Sequence, residues 1–93
     1  MIADYVKNGF CGKALKMYFQ MQRTGIKPDK MVFISVINAC GRLSDLQAGK
    51  NIHEDVITKG FASDVFVGTA LVSMYVKCQS LDNARQVFDR MPE

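Results

Sequence analysis

Cysteine, histidine and acidic side chains are the groups in this 93-residue chain best suited to metal binding or catalysis, and their spacing argues against both. Cys11, Cys40 and Cys78 are odd in number and far apart, with no C-x-x-C pair. An odd number of distant cysteines without a C-x-x-C pair argues against a disulfide framework and a zinc site, so we expect buried free thiols in a reducing compartment. The sole histidine, His53, adds too little for a metal site with these cysteines.

Motifs of nucleophilic or phosphate chemistry are also missing. Neither a Gly-rich phosphate loop nor a Gly-x-Ser-x-Gly motif occurs. Asp45, Glu54 and Asp55 are better interpreted as solvated helix charges than as an acid–base pair. We therefore predict no enzyme activity, with no catalytic residue, metal, cofactor or small-molecule substrate.

Three cations, Lys7, Arg42 and Lys77, recur at intervals of 35 residues. The net charge is +3 and the isoelectric point is about 8.9, which permits an anionic partner without demanding one. The cations could neutralise phosphates, or they could only offset the dipoles at helix C-termini, and the two interpretations are compatible.

The whole chain aligns with itself at a shift of 35 residues. A small residue recurs as Ala14, Gly49 and Ala84, and Asp29 aligns with Asp64. Self-similarity at such a period is typical of repeat proteins, in which stacked helix pairs bury faces that one pair cannot bury alone.

Each repeat predicts two helices. In the middle unit Phe33, Val36, Ile37 and Cys40 form an apolar stripe at helical spacing. The second helices are predicted at 12–23, 46–59 and 81–91, with Ser44 and Ser80 as N-caps of the latter two. The predicted fold is all-α, an α-solenoid of antiparallel helix pairs. No apolar run approaches the roughly 20 residues that span a bilayer, so no membrane partner is expected.

First helices in such a solenoid lie side by side, and the face opposite the apolar stripe forms a continuous surface, called the wall below. The wall combines apolar, polar and cationic side chains, namely Lys7, Met31, Ile34, Asn38, Arg42, Phe66, Thr69, Ser73 and Lys77. Cations neutralise phosphates and flat or apolar side chains hold bases, so this layout suits a single-stranded nucleic acid.

These residues resemble the pentatricopeptide repeat family. Residues 1–29 look like a partial standard repeat, 30–64 like the long variant, and 65–93 like a C-terminally incomplete short variant that ends in Met-Pro. The most specific stretch, from Val65 to Glu93, includes Lys77-Cys78 and Val87-Phe88-Asp89. This order is typical of the P-L-S subclass of land plants.

The resemblance implies sequence-selective binding of single-stranded RNA in mitochondria or chloroplasts, commonly for C-to-U editing, with other proteins of an editing complex as further partners. In the family, base choice depends on a residue early in the first helix and on the last residue of the repeat. The residues that match the family's three kinds of RNA contact are Asp29, Ile34, Asp64 and Thr69 for base selection, Met31 and Phe66 for base sandwiching, and Lys7, Arg42 and Lys77 for phosphates.

No unit carries a complete polar pair for base selection, because Ile34 cannot form a hydrogen bond and the partner of Thr69 lies beyond Glu93. The His-x-Glu and Pro-Cys-x-x-Cys motifs of a cytidine deaminase are absent from the 93 residues. Two alternatives remain beside RNA binding. One is a protein–protein scaffold of the tetratricopeptide kind, and the other is a truncated remnant without independent function.

Overall fold

The computed structural model describes Ile2, Lys7 and residues 9–91. Five helices lie within residues 9–91. They are α1 (Cys11–Arg23), α2 (Lys30–Leu43), α3 (Leu46–Thr58), α4 (Val65–Lys77) and α5 (Leu81–Arg90). No strand occurs within the described residues. The predicted second helices correspond to α1, α3 and α5, each within one residue at one end. The Met-Pro ending that marks the short variant extends to Pro92, outside the described residues.

Aspartates begin three of these helices. The Oδ1 atoms of Asp29, Asp45 and Asp64 accept hydrogen bonds from backbone N–H groups three residues later, at 2.9, 3.1 and 3.0 Å. Such caps satisfy N–H groups that have no partner within the helix. The prediction that Ser44 caps α3 was wrong, because Ser44 ends α2 in the left-handed conformation (φ 53°) and leaves the cap to Asp45. Ser80 does precede α5, but its hydroxyl makes no capping bond.

The first helices of the middle and last repeats, α2 and α4, lie side by side. The most extensive packing joins α2 to α4, α2 also packs against α1 and α3, and α4 packs against α3 and α5. The predicted stripe of Phe33, Val36, Ile37 and Cys40 is fully buried. Helix pairs stacked in this way confirm the all-α solenoid architecture.

Small residues lie where the helices approach most closely. A Cβ added to Gly49 of α3 would lie 2.5 Å from Sδ of Met74 in α4. A Cβ added to Gly41 of α2 would lie 3.1 Å from Cδ of Lys77 and 3.4 Å from Cα of Met74. The small residue at Gly49 therefore leaves room for the neighbouring helix.

The three thiols are free, and two of them are buried as the sequence predicts. Cys11 and Cys40 are buried and Cys78 is half-buried. Burial raises the pKa of the Cys40 thiol to about 12, which keeps it protonated and unreactive at neutral pH. Within the described residues, no three acidic, histidine or cysteine side chains are grouped to hold a metal ion, and no helix is both long and apolar enough to cross a bilayer.

Candidate nucleic-acid interface

Exposed side chains of α2 and α4 form the wall that the sequence predicts. The two large apolar residues near the helix starts, Met31 and Phe66, are 61% and 68% exposed. The polar and cationic positions that follow along the two helices are also exposed, namely Asn38, Arg42, Thr69, Ser73 and Lys77. Since α2 packs against α4, these residues form two neighbouring columns.

Two of the predicted residues differ from the rest in setting. Ile34 is half-buried and packs against the core, so its side chain offers apolar contact but no hydrogen bond. Lys7 is helical and exposed, as a phosphate contact requires, in the first of the three units.

An ion pair joins the beginning of one repeat to the end of the same repeat at the edge of the wall. Lys30 Nζ lies 3.5 Å from Oδ2 of Asp64 and 5.1 Å from the centre of the Phe66 ring. Cations over aromatic rings are attracted by the negative ring face. The cluster therefore holds a candidate base-selecting carboxylate and a candidate base-sandwiching ring side by side.

Lys30 was missed by the sequence analysis. Its counterpart 35 residues later is Val65, so the repeat alignment does not mark position 30 as cationic. Only the packing of α2 on α4 brings the first residue of the middle unit to Asp64 and Phe66.

A hydrogen bond to Oδ1 and an ion pair with Oδ2 already engage both oxygens of the Asp64 carboxylate. Oδ1 accepts from the Val67 backbone N–H, which holds the pKa of Asp64 below its usual value, and Lys30 lowers this pKa further. Asp64 is therefore an anion at neutral pH and can only accept hydrogen bonds. A base donor that reaches it must approach between the helix N-terminus and the Lys30 ammonium.

Thr69 is exposed on α4, with its hydroxyl proton already donated. Thr69 Oγ1 donates to the carbonyl oxygen of Val65 at 2.8 Å. The oxygen keeps lone pairs toward solvent, so in this rotamer Thr69 can accept a hydrogen bond from a base.

Arg42 and Lys77 lie in the last turns of α2 and α4, where a cation also offsets the helix dipole. The aliphatic part of Lys77 lies against Gly41, directly before Arg42. This contact brings the two cationic residues of the adjacent units to the same end of the wall.

A family model described as the PPR repeat matches residues 1–26 and 69–93, more than half of the chain. This chain belongs to the pentatricopeptide repeat family. The two matched segments fall within residues 1–29 and 65–93. This match shows the family and does not distinguish the P-L-S subclass within it.

Relatives of this pentatricopeptide repeat chain occur in Arabidopsis thaliana. A chloroplastic pentatricopeptide repeat-containing protein is 44% identical over 99% of this chain and 18% of its own length. A second such protein is 45% identical over 99% of this chain and 10% of its own length. A mitochondrial one is 40% identical over 98% of this chain and 9% of its own length. The chain thus spans less than a fifth of each of these relatives.

Pentatricopeptide repeat proteins are in general organellar RNA-binding factors rather than enzymes. The chloroplastic and mitochondrial names of the relatives support an organellar location, as the sequence analysis expects.

Proposed function

We propose that this chain binds single-stranded RNA on the wall as part of a longer organellar RNA-processing factor. The observation that carries the proposal is the pair of adjacent columns on α2 and α4, each with an exposed apolar residue at its start and a cation at its end. A strand laid across the columns would place bases between Met31 and Phe66 and phosphates against the cations.

The three units contribute different parts of one set of contacts, and the first unit supplies only a phosphate contact and one base-selecting residue. Lys7, Arg42 and Lys77 contact phosphates, and Met31 and Phe66 hold bases by stacking and apolar contact. The residues that select bases are Asp29, Ile34, Asp64 and Thr69. Ile34 contributes shape only, so the middle unit is expected to select bases mainly through Asp64.

Binding is tested by fluorescence anisotropy with pools of single-stranded RNA at two salt concentrations, beside duplex DNA. We expect a preference for single-stranded RNA that weakens with salt, because bound cations release counterions from the strand. Changing Lys7, Arg42 and Lys77 together to alanine should weaken binding and reduce the slope of log K against log salt by roughly 2, at about 0.7 per phosphate contact.

Three cations of the second helices and their loops provide the matched control. Lys16, Lys50 and Lys59 are exposed, and their replacement by alanine removes the same charge. The control should bind RNA more tightly than the wall variant. Equal losses in the two variants would show that only net charge matters and would remove the wall from the interface.

Membership of the P-L-S subclass, and with it a role in C-to-U editing, is a narrower part of the proposal. It is supported by the order of standard, long and short units that the sequence indicates for 1–29, 30–64 and 65–93. Sequencing of organellar transcripts from a plant line that lacks the parent gene should reveal sites that stay cytidine. If all sites were still edited but a transcript were misprocessed, the editing role would be contradicted, whereas a role in RNA processing would still stand.

A further inference from the structure

The ammonium group of Lys30 lies over an aromatic ring that the wall presents for stacking. Nζ of Lys30 is 5.1 Å from the centre of the Phe66 ring and 3.5 Å from Oδ2 of Asp64. Because Lys30 extends from α2, directly before Met31, the ring face that it covers is the face turned toward α2. In the proposed RNA complex a base lies between Met31 and Phe66 and needs that same face.

The Asp64 carboxylate anchors this lysine. Oδ1 of Asp64 accepts a hydrogen bond from the Val67 backbone N–H at 3.0 Å, so the helix cap holds the carboxylate beside the ring. The Lys30 side chain is 41% exposed, which leaves the ammonium group room to move into solvent. A contact between an exposed cation and a ring is weaker than the stacking of a base on an aromatic side chain. A base can therefore displace the lysine, but it binds less tightly because it has to do so.

We infer that Lys30 is an autoinhibitory residue of the middle unit, which occupies the stacking face of Phe66 in the free chain until a base displaces it. The inference rests on the proposed function, since it concerns the same wall. It opposes the expectation from charge alone, by which any cation beside the wall should strengthen RNA binding. The counterpart of Lys30 in the last unit is Val65, which has no cation to place over a ring.

The test compares Lys30→Ala with Lys50→Ala in the full chain, by fluorescence anisotropy with pools of single-stranded RNA at low salt. Lys50 is an exposed residue of α3, so its replacement removes the same charge away from the wall. Lys30→Ala should bind RNA about two- to fivefold more tightly than Lys50→Ala, which is the strength of an exposed cation–π contact. Equal or weaker binding of Lys30→Ala would overturn the inference.

A double variant determines whether the Phe66 ring is responsible for the effect. With Phe66→Ala in place there is no ring to cover, so the addition of Lys30→Ala should no longer tighten RNA binding. The same gain in affinity without the ring would mean that Lys30 acts through its charge or through Asp64 alone, and the inference would be wrong.

NMR spectroscopy reports the position of the lysine directly. In the free chain the ring current of Phe66 should shift the ε-methylene protons of Lys30 upfield, and the addition of single-stranded RNA should abolish this shift. An upfield shift that persists in the RNA complex would show that no base displaces the lysine. If the unchanged chain bound no single-stranded RNA, the proposed function would fail and the inference with it. RNA binding that Lys30→Ala weakens would remove the inference alone.

Discussion

A partly buried polar network at the residue scale joins the second helices of consecutive units. The Tyr18 hydroxyl donates to Oδ2 of Asp55 at 2.7 Å, and Gln22 Nε2 donates to the same oxygen and to the tyrosine oxygen. Tyr18 is fully buried. Burial, with Asp55 beside it, raises the pKa of Tyr18, so the hydroxyl keeps its proton. A satisfied network of this kind links α1 to α3 through side chains.

Changing Tyr18 to phenylalanine should lower the free energy of unfolding by about 1–2 kcal/mol, because Asp55 loses a donor in a partly buried site. The measurement is urea denaturation of Tyr18→Phe, Asp55→Ala and the double variant. The two changes should be coupled, with the double variant less destabilised than the sum of the single ones. Simple additivity would show that the hydrogen bond contributes little.

His53 occupies the position of Tyr18 one unit later and bonds to a different partner. Its Nδ1 lies 2.7 Å from the hydroxyl of Tyr75 in α4. Burial is the largest cause of a lowered His53 pKa, Arg90 lowers it further, and Glu54 opposes the shift. The folded chain therefore favours the neutral imidazole.

A lowered histidine pKa makes stability depend on pH in a known direction. The unfolded chain binds the His53 proton more readily, so this contribution is complete above about pH 6.5 and is lost as pH falls through the folded pKa. Tm should therefore decrease between about pH 7 and about pH 5. His53→Phe, which copies the residue at position 88, should show a flatter profile. An unchanged profile would assign the pH dependence to other groups.

The contact of α2 with α4 is the feature that matters most at the element scale. Gly41 of α2 faces the Met74 backbone and the Lys77 side chain of α4. Lysine can move aside, but the backbone of a packed helix cannot do so without separating the two helices. The spacing of the two columns of the wall thus depends on glycine, which has no side chain, at position 41.

Gly41→Leu should lower the free energy of unfolding by about 1–3 kcal/mol through overpacking, even though leucine favours helix more than glycine. Gly12→Leu on α1 is the matched control, because no neighbouring atom of the described residues lies within 4 Å of a Cβ added there. The control should be neutral or stabilising by up to about 1 kcal/mol. Circular dichroism during thermal denaturation measures both, and equal effects would contradict a tight α2–α4 contact.

Helix positions could be predicted from the sequence because the apolar stripe and the 35-residue shift both indicate the same two helices in each repeat. Helix ends could not be predicted fully, since Ser44 and Asp45 are adjacent and both suit a cap. Only the left-handed turn at Ser44 decides between them. The wall followed from helical spacing, whereas Lys30 and the Asp55 network depend on side-chain positions across helices that no periodicity encodes.

At the scale of the whole molecule, the last helix pair leaves apolar side chains open to solvent. Leu81 and Phe88 of α5 are 66% and 67% exposed. The counterpart of Phe88 in the first unit is Tyr18, which is fully buried and bonded to α3. An apolar surface of this kind favours association with other apolar surfaces.

Replacing Leu81 and Phe88 together by glutamine should reduce concentration-dependent self-association without lowering Tm, because both side chains are mostly exposed. Sedimentation velocity over a range of protein concentrations measures the change. Ile57→Gln, at an exposed apolar residue of α3, is the control and should leave self-association unchanged. Equal self-association of the unchanged chain, the double variant and Ile57→Gln would show that copies do not associate through Leu81 and Phe88.

The double use of Asp29 and Asp64 limits how such a protein could evolve. Each side chain begins a helix, and under the proposed function each also helps to choose a nucleotide. A mutation at either position therefore affects both the helix cap and base choice. The side chains that cap well are few: serine, threonine, aspartate and asparagine. A lineage could retune its RNA target by exchanging these residues, whereas larger changes of target would come from gaining or losing whole repeats.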